Sequence, residues 1–263
     1  MRRLLLPLVL LALSAAFGAE AGPGVPGGAA PAFPAGEVLQ FDIRWAFVRA
    51  GHAAMVADLD KGAPRVRAYA WNNGAFETVY RVSDTIAAVL DPATRLPRRF
   101  DKINNEGSWH SRSHIDFDQG ALSAHLSDTV LDGSGRPKPG RAVDTAIALD
   151  GPSHDILSAF YLFRTLPLEV GKTHTFNAVS GKKKYAMKVL VHRRERVEVP
   201  AGTFDCIVVE PILAEDGLFK AKGTLTIWLT DDADRVPVLV KSKIALGSVK
   251  VELTSRRAPS GAR

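Results

Sequence analysis

Cysteine is nearly missing from this sequence. Cys206 is the only one in 263 residues, which excludes a disulfide within the chain and any CxxC redox or zinc site. It lies in the strand-like run Thr203-Phe204-Asp205-Cys206-Ile207-Val208-Val209, where a thiol reads as a small core hydrophobe, not a nucleophile. No nucleophile elbow, phosphate-binding loop or histidine pair at helical metal spacing occurs, and no cofactor pattern is present. These absences weaken the case for an enzyme. They leave open a carboxylate pair assembled from distant strands.

Long apolar runs are also lacking. The most continuous one, Leu4 to Leu13, is shorter than the roughly 20 residues that span a bilayer. It follows Met1, Arg2 and Arg3 and leads into small residues up to Ala19, the three parts of a secretory signal peptide over 1–19. No cysteine stands near the exit to carry a lipid, so a free periplasmic protein is expected. Glu20 to Ala35, rich in Gly, Pro and Ala, reads as a flexible leader, and Arg256 to Arg263 as a polar, disordered tail. Residues 36–255 then form a single domain, long enough to bury a core without staples.

What is abundant is alternation. Leu39, Phe41, Ile43 and Trp45 alternate with polar residues, as do Tyr185, Met187, Val189 and Val191. Leu225, Ile227 and Leu229 do the same, and so do Val249, Val251 and Leu253. Period two with one apolar face is the mark of half-buried antiparallel strands. Less regular stretches cover 51–59, 65–72, 79–90, 98–105, 108–117 and 236–246. Turn residues separate them at Asp91-Pro92, Ser180-Gly181, Asp216-Gly217, Asp231-Asp232 and Gly247. Roughly a dozen strands exceed what a flat sheet holds, so an all-β fold is expected, a curved antiparallel sheet forming an open or partial barrel. One segment departs from period two. Ile156, Phe160 and Phe163 stand at helical spacing, Ser153 or Asp155 can cap the start, and Pro167 prevents continuation. So short a helix must pack on the sheet.

Three further runs sharpen the reading. Asp155 to Arg164 leads into Leu166-Pro-Leu-Glu-Val-Gly171, and Val199-Pro-Ala-Gly-Thr-Phe204 leads to Val209-Glu-Pro211. Ile227-Trp-Leu-Thr-Asp-Asp232 precedes Arg235-Val-Pro-Val238 and Gly247-Ser-Val-Lys-Val-Glu-Leu253. With the opening Gly36 to Trp45, their order resembles the bacterial exported family catalogued as domain of unknown function 3108. The resemblance covers nearly the whole domain. It implies a Gram-negative periplasmic protein with no assigned catalytic residues, and a curved sheet similar to those of periplasmic lipid and lipoprotein carriers. Fold analogy alone does not establish function.

Two groups of residues are candidates for a site. Trp45, Trp71, Trp109 and Trp228, with Phe160 and Tyr161, are the large aromatics able to line a ligand groove, although core packing is an alternative role for each. From Lys182 to Arg196 there are seven Lys or Arg against one Glu195. If the strand stays regular, Lys184, Lys188, Arg194 and Arg196 form a ridge on one face. That ridge either blunts a strand edge or docks on an anionic membrane surface. His110, His114 and Asp116 share a parity but lie too far apart for one metal ion, and Asp231, Asp232 and Asp234 read as a hairpin turn. Nucleic acid is excluded for want of a binding motif. The leading expectation is a non-enzymatic envelope protein holding a lipid or lipoprotein segment in a concave sheet. The rivals are a scaffold for another envelope protein and a hydrolase of cell-wall or lipid substrates. Oligomeric state is not legible.

Overall fold

The computed structural model describes residues 33–72, 74, 77, 78, 80–213, 225–244 and 247–259. The signal peptide, most of the leader and the Asp216-Gly217 turn lie outside the described residues. Among the described residues, fifteen strands make one sheet. They are β1 (Val38–Trp45), β2 (Val48–Asp60), β3 (Ala63–Trp71), β4 (Ser83–Leu90), β5 (Pro97–Glu106), β6 (Trp109–Asp118), β7 (Ser123–Leu131) and β8 (Pro137–Ala148), then β9 (Ser153–His154), β10 (Thr173–Ser180), β11 (Lys183–Val199), β12 (Gly202–Leu213), β13 (Leu225–Thr230), β14 (Pro237–Ile244) and β15 (Gly247–Arg257). The helix α1 (Ile156–Phe163) follows β9.

The strand order is β8-β7-β6-β5-β4-β3-β2-β1-β15-β14-β13-β12-β11-β10-β9. Pairing β1 with β15 joins two meanders, and the free edges are β8 and β9, which are consecutive in the chain. The result is an open, curved, barrel-like sheet. Gln119 bridges its seam: Nε2 donates to the Ser153 carbonyl at 2.8 Å, and Oε1 accepts from the Ser153 N–H at 3.1 Å.

Residues directly opposite in an antiparallel pair share a face. The register carries one inner face from Leu39, Phe41 and Ile43 through Ala53 and Met55, Ala68 and Ala70, to Ile86 and Phe100. In the other direction it runs through Val251, Val240, Ile227, Val209, Val191 and Met187 to Phe176. α1 lies on this face. Its N-cap is Asp155, whose carboxylate accepts from the Leu157 and Ser158 N–H groups at 2.7 and 3.1 Å. Seven of its eight residues are buried, and Phe163 meets Phe176 at 5.9 Å between ring centroids. A two-turn helix gains little stability alone, so burial against the sheet holds it in place.

Past the helix, Arg164 closes a buried charge network. Its Nη1 and Nη2 donate to Glu37 Oε2 and Oε1 at 2.6 and 3.1 Å, and its Nε and Nη2 donate to the Asp234 carbonyl. Arg256 donates to Glu37 and to the Asp234 carboxylate. The start of the domain, the helix end, the β13–β14 turn and the last strand are thus tied together.

Several expectations need correction. β7, β8, β9 and β10 were not legible as alternating segments. β8 carries Pro137, Pro139 and Gly140, which an edge strand tolerates and which mask the period. Gly247 opens β15 instead of forming a turn. Arg256 and Arg257 are not a disordered tail but the end of β15, held by Glu37 and by pairing with β1. Phe33, at the end of the leader, packs on the core beside Tyr161.

Candidate functional site

The inner face is not filled uniformly. Between α1 and the sheet lies a cavity of about 70 Å³, open on one side. Ile156, Leu157 and Phe160 line it from the helix; Phe41, Met55 and Ile86 from one half of the sheet; Leu225, Val240, Val249 and Val251 from the other. Ala53, Ala54, Ala68 and Ala70 line it too. The methyl side chains of Ala53, Ala68 and Ala70, which share the inner face, are the cause of the void, because a Val or Leu at these positions would fill it, whereas Ala54 has the opposite parity. The volume has room for roughly five water-sized groups, yet the lining offers almost nothing to bond water. A space of this kind suits an apolar chain.

Next to the cavity the same face turns polar. Ile86 sits directly opposite Lys102, Lys102 opposite Ser113, Ser113 opposite Asp128, and Asp128 opposite Val143. Beyond this row stand Asp84, Asn104 and Glu106, all buried. Asn104 Nδ2 donates to Asp84 Oδ2 at 3.1 Å and to Glu106 Oε1 at 3.3 Å, and the Asn105 N–H donates to Asp84 Oδ1 at 2.8 Å. Burial, then the neighbouring Asp84 carboxyl, pushes Glu106 up to about 7. Burial draws Lys102 below the usual lysine range, although Asp84, Glu106 and Asp128 oppose this. Burial also raises Tyr80, which Glu106 and Asp84 assist. The β5–β6 turn allows this crowding because Gly107 has φ 56° and a Cβ there would stand 2.7 Å from the Tyr80 ring.

The carboxyl pair makes stability depend on pH. The folded-state value of Glu106 lies above its ordinary 4.5, so the stability its protonated form contributes is complete below about 4.5 and lost as pH rises through about 7. Glu106→Gln, isosteric and uncharged, should therefore stabilise the fold by about 1–3 kcal/mol at pH 8. It should leave stability unchanged near pH 4.5. Denaturant unfolding of both proteins at the two pH values checks this, and an equal effect at both would show that Glu106 ionises freely.

The aromatic candidates divide. Phe160 lines the cavity. Trp45 continues the inward parity of Ile43 and packs on the core, and Trp109 lies opposite Glu106 at the end of the polar wall, under Arg141 at 5.9 Å. Trp71 stacks near His52, and Trp228 lies between Lys241 and Glu195; both occupy the face opposite the cavity. Tyr161 is buried against Phe33 and Arg164, away from the lining. Cys206 is 1 % exposed, and burial pushes its thiol up to about 12.

The basic ridge is split. A register shift between Val191 and Arg193 inserts one residue, so Arg194 lies opposite Ile207 and Arg196 opposite Asp205. Both therefore share the face of Val191, while Lys184 and Lys188 lie on the other. Lys184, Arg194 and Arg196 are each paired with an aspartate, Asp150, Asp231 and Asp205 respectively. Asp232 accepts from the Asp234 and Arg235 N–H groups, as a hairpin turn requires, and His114 bridges Asp101 and Asp116. Among the described residues no cluster of three His, Cys, Asp or Glu could hold a metal ion.

Sequence reasoning missed Asp84, Lys102, Asn104, Glu106 and Asp128. A signal existed: Lys102, Asn104 and Glu106 continue the inward parity of Phe100, which places polar residues where a core face is expected.

An open barrel-like sheet with a helix on its inner face and an apolar cavity beneath that helix defines the structural class. The chain belongs to the family described as protein of unknown function DUF3108, whose profile matches residues 40–254. No curated protein matches. Among solved structures, a β-barrel-like protein of the DUF1849 family from Brucella abortus is similar, with a TM-score of 0.57 at 10 % identity, covering 88 % of this chain and 100 % of that one. A candidate lipoprotein from Parabacteroides distasonis aligns over 88 % of this chain and 100 % of its own at 13 % identity, with a TM-score of only 0.36. The first likeness shows the fold.

Proposed function

We propose that this protein is an exported envelope protein that binds an amphiphilic, lipidic molecule and places its apolar chain between α1 and the sheet. The observation that supports this reading is the alanine-lined cavity beneath Phe160, continuous with a polar wall. Native interiors leave few voids larger than a water molecule, so a void kept open by three alanines calls for an occupant. Export rests on the Arg2-Arg3 and Leu4 to Leu13 pattern.

Filling the cavity tests the reading. Ala68→Leu adds three carbons to the lining, and Ala68→Val adds two. Wild type should bind a fluorescent fatty acid such as dansyl-undecanoate. The Leu variant should lose at least about tenfold in affinity while melting no more than a few degrees lower, because overpacking typically costs about 1–3 kcal/mol. The Val variant should fall between. Equal binding by all three would remove the cavity from any functional account. Native mass spectrometry of protein taken from the periplasm should show a lipid-sized adduct.

A second reading, docking of another envelope protein, is favoured by the β1–β2 hairpin tip, where Phe47 in the turn is 93 % exposed and Val48 at the start of β2 is 53 % exposed.

A further inference from the structure

The polar wall beside the cavity carries its charges in a definite order. Across β4 to β8 the inner face reads Ile86, Lys102, Ser113, Asp128, Val143. Ile86 belongs to the cavity lining, and directly opposed side chains stand roughly 5 Å apart, so the Lys102 stem begins where the cavity ends. Asp128 is two strands further on, roughly 10 Å from Lys102 between backbones. Among the described residues neither the Lys102 ammonium nor the Asp128 carboxylate is within hydrogen-bond or ion-pair distance of a partner, although Asp84, Glu106 and Asp128 act on Lys102 at longer range. Their neighbours differ in this respect. Asp84 and Glu106 are satisfied by Asn104 and the Asn105 N–H.

Lys102 is half-buried in the field of Asp84, Glu106 and Asp128 but hydrogen-bonded to none of them, so its donors and the Asp128 carboxylate oxygens are open to a bound molecule that reaches both. The order on the protein is apolar, cationic, hydroxyl, anionic. The complement is a molecule whose apolar chain is followed first by an acid and then by an amine. We infer that the amphiphile bound at this cavity is a zwitterion of that polarity, an alkyl phosphate esterified to an aminoalkyl group, with its phosphate on Lys102 and its ammonium on Asp128. Ser113 lies between the two and can donate to a phosphate oxygen. This rests on the reading of the cavity as a chain-binding site and adds the chemistry of the head group. A purely anionic head would meet Lys102 but be repelled by Asp128, and a simple amine would meet the reverse.

Four ligands with one chain separate the cases: octanol, octyl phosphate, octylamine and 2-aminoethyl octyl phosphate, titrated calorimetrically below their micellar concentrations. Wild type should bind the aminoethyl ester about tenfold tighter than octyl phosphate, and octyl phosphate tighter than octanol, since hydrogen bonds to charged groups are among the strong ones. Lys102→Met should weaken the aminoethyl ester and octyl phosphate about tenfold or more and leave octanol unchanged. Lys102→Arg should retain most of the affinity. Asp128→Asn should weaken the ester alone and tighten octyl phosphate. The variants should keep the wild-type circular dichroism spectrum, so that a loss of affinity is not a loss of fold, because neither side chain is hydrogen-bonded to another element. Equal wild-type affinity for the ester and octyl phosphate, or an Asp128→Asn variant that binds both as before, would overturn the head-group assignment while leaving chain binding intact. Failure of all four ligands to bind would instead overturn the chain-binding reading itself.

Discussion

Glu37→Ala should cost about 3–5 kcal/mol of unfolding free energy, the range for removing one partner of a buried ion pair. The Glu37 side chain is 1 % exposed and that of Arg164 is 7 % exposed. Without Glu37 the guanidinium keeps the Asp234 carbonyl and its contact with Tyr161, over whose ring it lies at 5.2 Å, but loses its carboxylate partner. Arg256 would lose the same partner. The pair itself is a weak contributor to stability, because taking both charges out of water offsets most of their attraction. The double variant Glu37→Met/Arg164→Met should therefore recover most of the loss, and urea unfolding of the single and double variants measures both. A loss below about 1 kcal/mol for Glu37→Ala would mean that Arg164 finds other partners or reaches water. The network fixes the C-terminal end of α1 against β1, β14 and β15, so the same variants should loosen the cavity roof.

This network also marks the limit of what the chain reveals before folding. Glu37 and Arg164 are 127 residues apart, and nothing local to either indicates the other. Strands with a clean apolar face, such as β1, β13 and β15, were legible because burial on one side imposes period two on the residues that do it. The helix was legible for the same reason with a different period, with its Phe160 stripe and with Asp155 as one of two caps, Ser153 being the other. β8 was not, because an edge strand with exposed residues on both faces is free of that constraint. The basic ridge failed for a third reason: one inserted residue at His192 exchanges the faces of everything after it, and no composition rule signals a bulge. The cavity could not be foreseen, since an alanine in a strand reads as filler until the register shows three of them, Ala53, Ala68 and Ala70, under one helix. The polar wall could have been, had the inward parity of β5 been followed past Phe100.

Phe160→Ala should destabilise the protein by about 3–5 kcal/mol, the usual cost of deleting a buried phenyl ring. Phe160 is 4 % exposed, lies 6.1 Å from the Phe163 ring, and forms part of the cavity lining. Its removal should enlarge a void that the alanines of β2 and β3 already hold open, and the surroundings, anchored in a continuous sheet, have limited freedom to collapse. The enlarged space should stay dry and accept small apolar solutes, as engineered apolar cavities do. Adding benzene should then raise the melting temperature of Phe160→Ala, because a ligand that binds only the folded state stabilises it by mass action. Wild type should respond less, its cavity being only about 70 Å³. Combining Phe160→Ala with Ala68→Leu should reverse part of the loss, since the added leucine carbons occupy the vacated volume and the two residues line one space. Purely additive effects of the two substitutions would show that they face separate regions of the core. A loss below about 1 kcal/mol for Phe160→Ala would mean that α1 does not cover the inner face at all. The chain-binding reading would then lose its roof.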